Sequence, residues 1–248
     1  MTDRQDAYRG LGRHYDLHGW DWYARTYGAR LIALLRERGL GSGASILDAG
    51  CGTGSLCAML AQEGFRMTGV DLSPGMIAQA RLKDPDGKVD WQIGDITTLR
   101  LGRGFDAAVS VADVFNHLES LDEWELALRG LNDHLRPGGL VCIDTMTCRG
   151  LEQLDVHSVQ ERGGVTLILG VIYERAARRS TLKVTSFAPA AENPELYERA
   201  SETITEWGHP VQDVLLRFAR AGYSDIERVW ATSDDPEDDE RLAVLART

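Results

Sequence analysis

The feature that most constrains the fold of this chain is a glycine-rich turn, Gly50-Cys51-Gly52-Thr53-Gly54, between an apolar run and a helical pattern. Residues 44–48 have the pattern of a buried strand, and residues 55–62 that of a helix. Glycines at alternate positions let the backbone turn tightly and let a ligand approach closely. In an open parallel sheet, ligands bind beyond the carboxyl ends of the strands. The turn therefore predicts an α/β fold with a ligand site at residues 50–54.

Strand and helix patterns alternate as far as residue 145. The predicted strands are 44–48, 66–71, 89–96, 105–111 and 140–144, and the predicted helices are 21–38, 55–62, 74–82 and 124–135. Strands joined by helical crossovers require a mostly parallel, doubly wound sheet of the Rossmann-like kind.

Beyond residue 145 the chain becomes rich in β-forming residues. We predict a small antiparallel insertion from strand patterns at 165–173, 181–187 and 202–207. A final helix and two further strands are then expected to rejoin the main parallel sheet. The predicted division is an N-terminal helical cap (1–43), a core (44–146), the insertion (147–207) and a C-terminal part of the core (208–248). The insertion is expected to cover the substrate or to form a homodimer contact, because strand edges need covering.

Composition narrows the kinds of partner. The net charge of -11 argues against a nucleic-acid partner, which needs a basic surface to displace counterions. We find no apolar run of about 18 residues and no signal-like start, so no membrane partner and a cytoplasmic location are expected. A small molecule is the expected substrate.

The cysteines do not have metal-site spacing, and the one histidine pair that could bind a metal on a helix is not matched by other candidate ligands. No two of the four cysteines form a CxxC pair, so we expect reduced thiols and no metal. His14 and His18 have i, i+4 spacing, but the polar residues around them favour a solvated turn. The acidic run 234–240 is likewise expected to be a solvated hairpin loop.

Three aspartates, each at the end of a predicted strand, suggest which ligand binds. Asp48 can complement an ammonium group, Asp71 can accept hydrogen bonds from both hydroxyls of a ribose, and Asp95 can accept one from the amine of adenine. S-adenosylmethionine (SAM) carries all three groups. Leu72, Met76 and Ile96 are candidate apolar walls. Together the three acids are far more specific than the glycines alone.

These motifs resemble those of the class I SAM-dependent methyltransferases. Residues 46–54 are similar to the family's first motif, 69–76 to its second, 94–95 to its third, and 135–139 to the turn before its fifth strand. The resemblance implies a seven-stranded sheet with an antiparallel last strand, SAM as cofactor and S-adenosylhomocysteine as product. The implied cofactor-binding residues are Tyr15, Tyr23, Asp48, Gly50, Cys51, Gly52, Thr53, Gly54, Asp71, Leu72, Met76, Asp95, Ile96 and Val111.

A finer resemblance is to small-molecule N-methyltransferases of amino-sugar and natural-product pathways. It rests on the N-terminal tyrosines, Tyr8 and Tyr15, and on Phe115-Asn116-His117-Leu118 after the fourth strand. The resemblance implies that Tyr15, Asn116 and His117 lie at the catalytic site. His117 would either accept a proton from the acceptor or only shape its pocket.

Two other functions remain open at this point. A nicotinamide-dependent oxidoreductase also joins a glycine-rich turn to a distal acid, although GxGxxG rather than GxGxG is expected there. A SAM-binding protein with a role other than methyl transfer is the second, because a fold does not determine a function. The expected reaction is an in-line transfer of the methyl group of SAM to a nitrogen atom of a small-molecule acceptor, with oxygen as the less favoured acceptor atom.

Overall fold

The computed structural model describes residues 8, 10–102, 104–154 and 157–248. The helices in these ranges are α1 (Gly12–Tyr15), α2 (Trp22–Glu37), α3 (Ser55–Gln62), α4 (Pro74–Lys83), α5 (Leu121–His134), α6 (Cys148–Gln153) and α7 (Val211–Arg220). Short 3₁₀ turns lie at Val114–His117 and Pro236–Asp238. No helix in these ranges has the length and apolar character that crossing a bilayer demands.

The central sheet has seven strands among the described residues. They are β1 (Ser45–Ala49), β2 (Arg66–Asp71), β3 (Val89–Ile93), β4 (Phe105–Ser110), β5 (Leu135–Met146), β10 (Ser224–Val229) and β11 (Arg241–Arg247). Their order is β10-β11-β5-β4-β1-β2-β3. Strands β1 to β5 pair in parallel, whereas β11 runs antiparallel to both neighbours. The predicted doubly wound sheet with an antiparallel last strand is confirmed.

Helices cover both faces of this sheet. Ile46 and Leu47 are adjacent in β1 and both are fully buried, but they enter different apolar clusters. Ile46 packs with Leu31 of α2, and Leu47 packs with Leu128 of α5. Burial on both faces explains why the strand is a continuous apolar run without alternation.

The insertion forms a second sheet of four strands among the described residues. These are β6 (His157–Arg162), β7 (Val165–Glu174), β8 (Arg179–Pro189) and β9 (Tyr197–Trp207), paired antiparallel in chain order. The predicted antiparallel insertion is therefore confirmed. Sequence analysis missed β6 and α6, because β6 is a largely polar edge strand and α6 is too short for a clear helical period.

The N-terminal segment lies against the insertion. Leu11 is buried with Leu167 and Ile204 of the second sheet. The Glu202 side chain accepts hydrogen bonds from the backbone amides of Gly10 and Leu11, at 2.6 and 2.8 Å. These contacts hold α1 between the two sheets.

Two details differ from the local predictions at the strand ends. Strand β3 ends at Ile93 instead of residue 96, because the Asp95 carboxylate accepts from the Thr97 amide and turns the chain. Strand β5 begins at Leu135 and continues through Pro137-Gly138-Gly139, with a shift in its register to β4.

The turn predicted around His18 is present at residues 16–21, but the prediction that His18 is solvated is wrong. His18 is only 4% exposed. Its neighbours Leu17 and Gly19 lie against Gly163 and Arg162 of the insertion, a covering that local sequence does not reveal. A long-range contact therefore buries a residue that the polar sequence around it placed in solvent.

The acidic loop is a hairpin connection, as predicted, between β10 and β11. It is not fully solvated, because Asp239 is buried and accepts a hydrogen bond from the Thr232 amide at 3.0 Å. The remaining acids lie on or near the Pro236–Asp238 turn.

Candidate functional site

Two neighbouring cavities lie beyond the carboxyl ends of β1, β2 and β4. The larger is lined by Asp71, Leu72, Met76, Asp95, Ile96 and His117, among others. The smaller is lined by Asp48, Cys51, Thr53, Val111 and neighbours. Tyr15, Gly50, Gly52 and Ala112 line both. The two cavities therefore meet at one junction, where a long ligand could pass from one to the other.

The glycines of the turn differ in what they do. Gly50 has φ +83°, and a Cβ there would lie 2.4 Å from the Val114 side chain. Gly52 has φ +54°, its Cβ position meets nothing within 4 Å, and its amide donates to Asp71 at 2.8 Å. Gly54 instead packs against Trp91 and lines neither cavity. Its contribution is to the packing of the turn, whereas Gly50 and Gly52 face the ligand space.

Asp71 lies at the end of β2 and is held in place from two sides. Its carboxylate accepts from the amides of Gly52 and Ser73, both at 2.8 Å. Burial raises the pKa of this carboxyl, and the two backbone hydrogen bonds oppose the rise. Helix α4 begins at Pro74 with the Ser73 hydroxyl as its cap, so Asp71 is not needed for the helix start.

Asp95 and its apolar neighbours form the far end of the larger cavity. The Asp95 carboxylate accepts from the Thr97 amide at 2.8 Å and hydroxyl at 2.7 Å, which orients it. Leu72, Met76 and Ile96 line the same space. An aromatic ring placed between these apolar side chains would have the Asp95 carboxylate next to the edge of the ring, where it could accept a hydrogen bond.

Asp48 lies in the smaller cavity and is 1% exposed. One carboxylate oxygen accepts from the Cys57 thiol at 3.2 Å, and the other has no hydrogen-bond partner within the described ranges. Burial raises the pKa of the carboxyl to about 7, and the nearby Asp71 charge adds to the rise, while the Cys57 hydrogen bond opposes it. A buried acceptor without a partner fits a cationic group of a ligand.

An aromatic cluster lies above the junction. The ring of Tyr8 contacts those of Tyr15 and His117 edge to face, with centroids 6.1 and 5.7 Å apart. All three residues line the larger cavity. The Tyr8 hydroxyl lies 3.4 Å from His117 Nε2, and His117 Nδ1 lies 3.2 Å from the Thr205 carbonyl oxygen. His117 is thus oriented by the N-terminal segment and by the insertion.

Asn116 lies away from the two cavities, and its amide is saturated by hydrogen bonds within the protein. The NH₂ group donates to the carbonyls of Met146 and Trp207, at 3.0 and 3.1 Å. The oxygen accepts from the Thr145 hydroxyl at 2.6 Å and the Met146 amide at 2.8 Å. Asn116 therefore ties the turn that carries His117 to both sheets.

Tyr23 also lies outside the lining of either cavity. Its hydroxyl donates to Asp144 at 2.8 Å, and the Arg241 guanidinium lies 3.9 Å above its ring. Arg241 binds Asp144 and, at 2.6 Å, Asp113. Sequence analysis missed this charged cluster. Asp113 could have been found from its position after the end of β4, because ligands bind beyond the carboxyl ends of parallel strands. The sequence around Arg241 contains no motif that would indicate a role in the site.

A second group missed from the sequence joins the N-terminal segment to the core. Lys83 Nζ donates to Asp16 at 2.6 Å and to the hydroxyls of Thr53 and Ser55, both at 2.9 Å. Thr53 in turn donates to Asp16 at 2.7 Å. Asp16 follows Tyr15 directly, so this cluster holds Tyr15 over both cavities.

Comparison with known proteins agrees with this geometry. Residues 46–139 match a family described as a methyltransferase domain. Glycine N-methyltransferase of Rattus norvegicus is 37% identical over 150 residues, which are 53% of this chain and 50% of that protein. A dTDP-3-amino-3,4,6-trideoxy-alpha-D-glucopyranose N,N-dimethyltransferase of Streptomyces venezuelae is 31% identical over 137 residues, with 55% and 53% covered. The chain spans about half the length of the curated relatives it matches.

Solved structures extend the likeness over most of the chain. The sugar N-methyltransferase KedS8 from Streptoalloteichus has a TM-score of 0.71 at 26% identity, covering 89% of this chain and 85% of its own. A SAM-dependent methyltransferase from Clostridium acetobutylicum has a TM-score of 0.77 at 21% identity, with 97% and 98% covered, which shows a shared fold. The oxidoreductase alternative finds no support among these matches.

Proposed function

We propose that this chain is a class I SAM-dependent methyltransferase that moves the methyl group of SAM to a nitrogen atom of a small-molecule acceptor. The observation that carries the proposal is the junction of the two cavities at Tyr15, Gly50, Gly52 and Ala112. Relatives and neighbours whose names specify N-methylation support nitrogen as the acceptor atom, and two of these act on amino sugars or sugars.

The residues present fit SAM. Asp48, with its unpartnered oxygen, would hold the methionine ammonium in the smaller cavity. Asp71 would accept from the ribose hydroxyls, and Asp95 from the adenine amine. The open space at the Cβ position of Gly52 leaves room for the ligand against the backbone. When bound, SAM supplies a methyl group made electrophilic by the adjoining sulfonium.

The protein has to align the acceptor and exclude water from the junction. Tyr15 lines both cavities and would close over the reacting atoms. Both ring nitrogens of His117 already lie near hydrogen-bonding partners, Thr205 and Tyr8, which favours a role in shaping the acceptor pocket over one as a base. Asn116 would act as a positioning residue for His117.

The insertion is proposed as the cover of the acceptor site. The carbonyls of Thr205 and Trp207 in β9 hold His117 and Asn116, and Glu202 holds the backbone of the N-terminal segment. A substrate beside His117 would therefore be enclosed by β9 and α1. A homodimer contact through the same sheet stays a prediction.

The test combines binding with mass detection of transfer. Calorimetric titration should show SAM binding and no comparable response to NAD. SAM with a trideuterated methyl group is then incubated with a panel of amino sugars, nucleotide-linked amino sugars, amino acids and phenols. The label should appear in members of the amine classes and in fewer of the phenols. SAM binding without labelling of any amine would contradict the proposed N-methylation.

Two variants separate cofactor binding from acceptor handling. Asp71→Ala should weaken SAM binding by at least about tenfold, since a hydrogen-bonded carboxylate contributes roughly 1.5–3 kcal/mol. His117→Ala should leave SAM affinity unchanged and lower turnover. Turnover at the unmodified rate in His117→Ala would remove this residue from the acceptor site.

A further inference from the structure

Glu206 of β9 lies between two residues whose backbone is tied to the site. The Thr205 carbonyl oxygen lies 3.2 Å from His117 Nδ1, and the Trp207 carbonyl accepts from Asn116 at 3.1 Å. These contacts place the backbone of Glu206 next to the turn at Val114–His117.

The direction of the side chain follows from strand geometry. Side chains two apart in a strand lie on the same face, so Glu206 shares its face with Ile204. Ile204 is buried against Leu11, in a cluster to which Tyr8 is also packed. The Glu206 charge also contributes to raising the pKa of Tyr8 and of Tyr15, both of which line the larger cavity. Glu206 therefore lies on the face of the insertion that packs towards the N-terminal segment, near Tyr8 and Tyr15 of the larger cavity.

The charges around Glu206 are not balanced within the described part of the chain. Arg241 is bound to Asp113 and Asp144, whereas no hydrogen bond or ion pair joins the Glu206 side chain to another described residue. Asp113 and Asp144 thus share one guanidinium, which forms no ion pair with the Glu206 carboxyl. Ala112, which precedes Asp113, lines both cavities at their junction. A cation bound near Ala112 would favour the ionised form of the Glu206 carboxyl.

We propose that Glu206 binds the acceptor as its ammonium form and takes one proton from it before methyl transfer. This proposal rests on the proposed N-methyltransferase function. The ammonium N–H bond breaks and its proton moves to a Glu206 oxygen, leaving a lone pair on nitrogen. That pair forms the N–C bond while the C–S bond breaks and its electrons stay on sulfur. The product leaves as a methylated ammonium, and Glu206 releases the proton to water.

The surroundings of Glu206 suit this proton transfer. Burial and the neighbouring Asp113 charge raise the pKa of Glu206 to about 8, while Arg241 lowers it. The titratable groups of the adjoining larger cavity are Tyr8, Tyr15, His117, Asp71 and Asp95. An acid with this pKa holds a proton much better than an ordinary carboxylate, so accepting one from an ammonium group is less uphill.

Carboxyl ¹³C NMR of the full chain, labelled at glutamate Cδ and saturated with S-adenosylhomocysteine, tests the binding step. The signal absent from Glu206→Gln is followed from pH 5 to 10 with ethylammonium or with ethanol, at constant ionic strength. Ethylammonium should lower the titration midpoint of Glu206 by about one unit, and ethanol should leave it unchanged. No downward shift, or the same shift with ethanol, would overturn the proposal.

Kinetics test the proton transfer with whichever amine the labelled-SAM assay identifies. Glu206→Gln should lower kcat/KM for that amine at least tenfold and leave SAM affinity by calorimetry unchanged. Glu198→Gln, on the exposed part of the same strand, should match the unmodified protein in both readouts. Turnover of Glu206→Gln at the unmodified rate would overturn the proposal. Failure of the unmodified protein to methylate any amine would instead contradict the proposed N-methyltransferase function. The NMR shift would still test whether Glu206 binds an ammonium group.

Discussion

At the residue scale, Asp48 lowers the stability of the unliganded protein while it provides an acceptor for a ligand ammonium. It is almost fully buried, yet one of its oxygens has no hydrogen-bond partner in the described ranges. A buried carboxylate without full pairing destabilises the unliganded protein, because ionisation there lacks the stabilisation that water provides. The same unpartnered oxygen is what a ligand ammonium requires. A residue kept for binding therefore opposes folding in the absence of ligand.

Asp48→Asn should make the unliganded protein more stable at pH 8, by on the order of 2 kcal/mol. Since the folded-state pKa of Asp48 is raised to about 7, its contribution to stability falls as pH rises from about 4 to 7. The gain from Asn should consequently be smaller at pH 5. Urea unfolding at both pH values measures it, and calorimetry should show SAM binding weakened at least tenfold.

The control for this prediction is Asp90→Asn, at an exposed position of β3. It should change neither the pH dependence of unfolding nor SAM affinity. If Asp48→Asn lost stability equally at pH 5 and pH 8, the carboxylate would be a structural hydrogen-bonding group and not a ligand for a cation.

At the element scale, the N-terminal segment is held from two sides. Lys83 binds Asp16 from the core, and Glu202 binds the Gly10 and Leu11 amides from the insertion. Helix α1 is only four residues long, too short to be stable alone, so these contacts decide its position. Tyr15 depends on that position to lie over the junction.

Lys83→Ala should speed the release of SAM about fivefold, with little change in unfolding temperature. The ion pair is about one-third exposed at both ends, which limits its contribution to roughly 1 kcal/mol. Stopped-flow displacement of SAM measures the rate. Lys88→Ala, which removes an exposed ion pair with Asp86, is the matched control and should release SAM at the unmodified rate. Equal rates in all three proteins would show that Asp16 does not hold the segment closed.

At the scale of the whole molecule, the site is formed by three parts of the chain. The central sheet supplies Asp48, Asp71 and Asp95, the N-terminal segment supplies Tyr8 and Tyr15, and the insertion orients His117. Ligand binding should therefore order parts that are distant in sequence, because each contributes to the same enclosed volume.

Hydrogen exchange followed by mass spectrometry tests this coupling. SAM should slow exchange in residues 10–16 and 112–118 as well as in residues 48–54. The edge strand β6, which lines neither cavity, should exchange at the same rate with and without SAM. Protection confined to residues 48–54 would mean that the N-terminal segment does not close on the cofactor.

The sequence alone determined the features that depend on local patterns. The order of strands and helices follows from apolar periodicity, and the turn at residues 50–54 follows from glycine's backbone freedom. Asp71 and Asp95 could be placed at one edge of the sheet because the carboxyl ends of parallel strands meet there. The predicted insertion also followed from β-forming runs, although its polar edge strand β6 did not.

Tertiary structure decided which side chains meet across long stretches of chain. Arg241 binds Asp113, 128 residues away, and Tyr23 binds Asp144, 121 residues away. The tertiary structure also packs Gly54 against Trp91, and it directs the Asn116 amide towards hydrogen-bonding partners inside the protein. Local patterns specify an element and its buried face, but contacts between elements depend on how the faces pack. For that reason the acids expected to bind SAM follow from the sequence, whereas the charged surroundings of the acceptor come only from the fold.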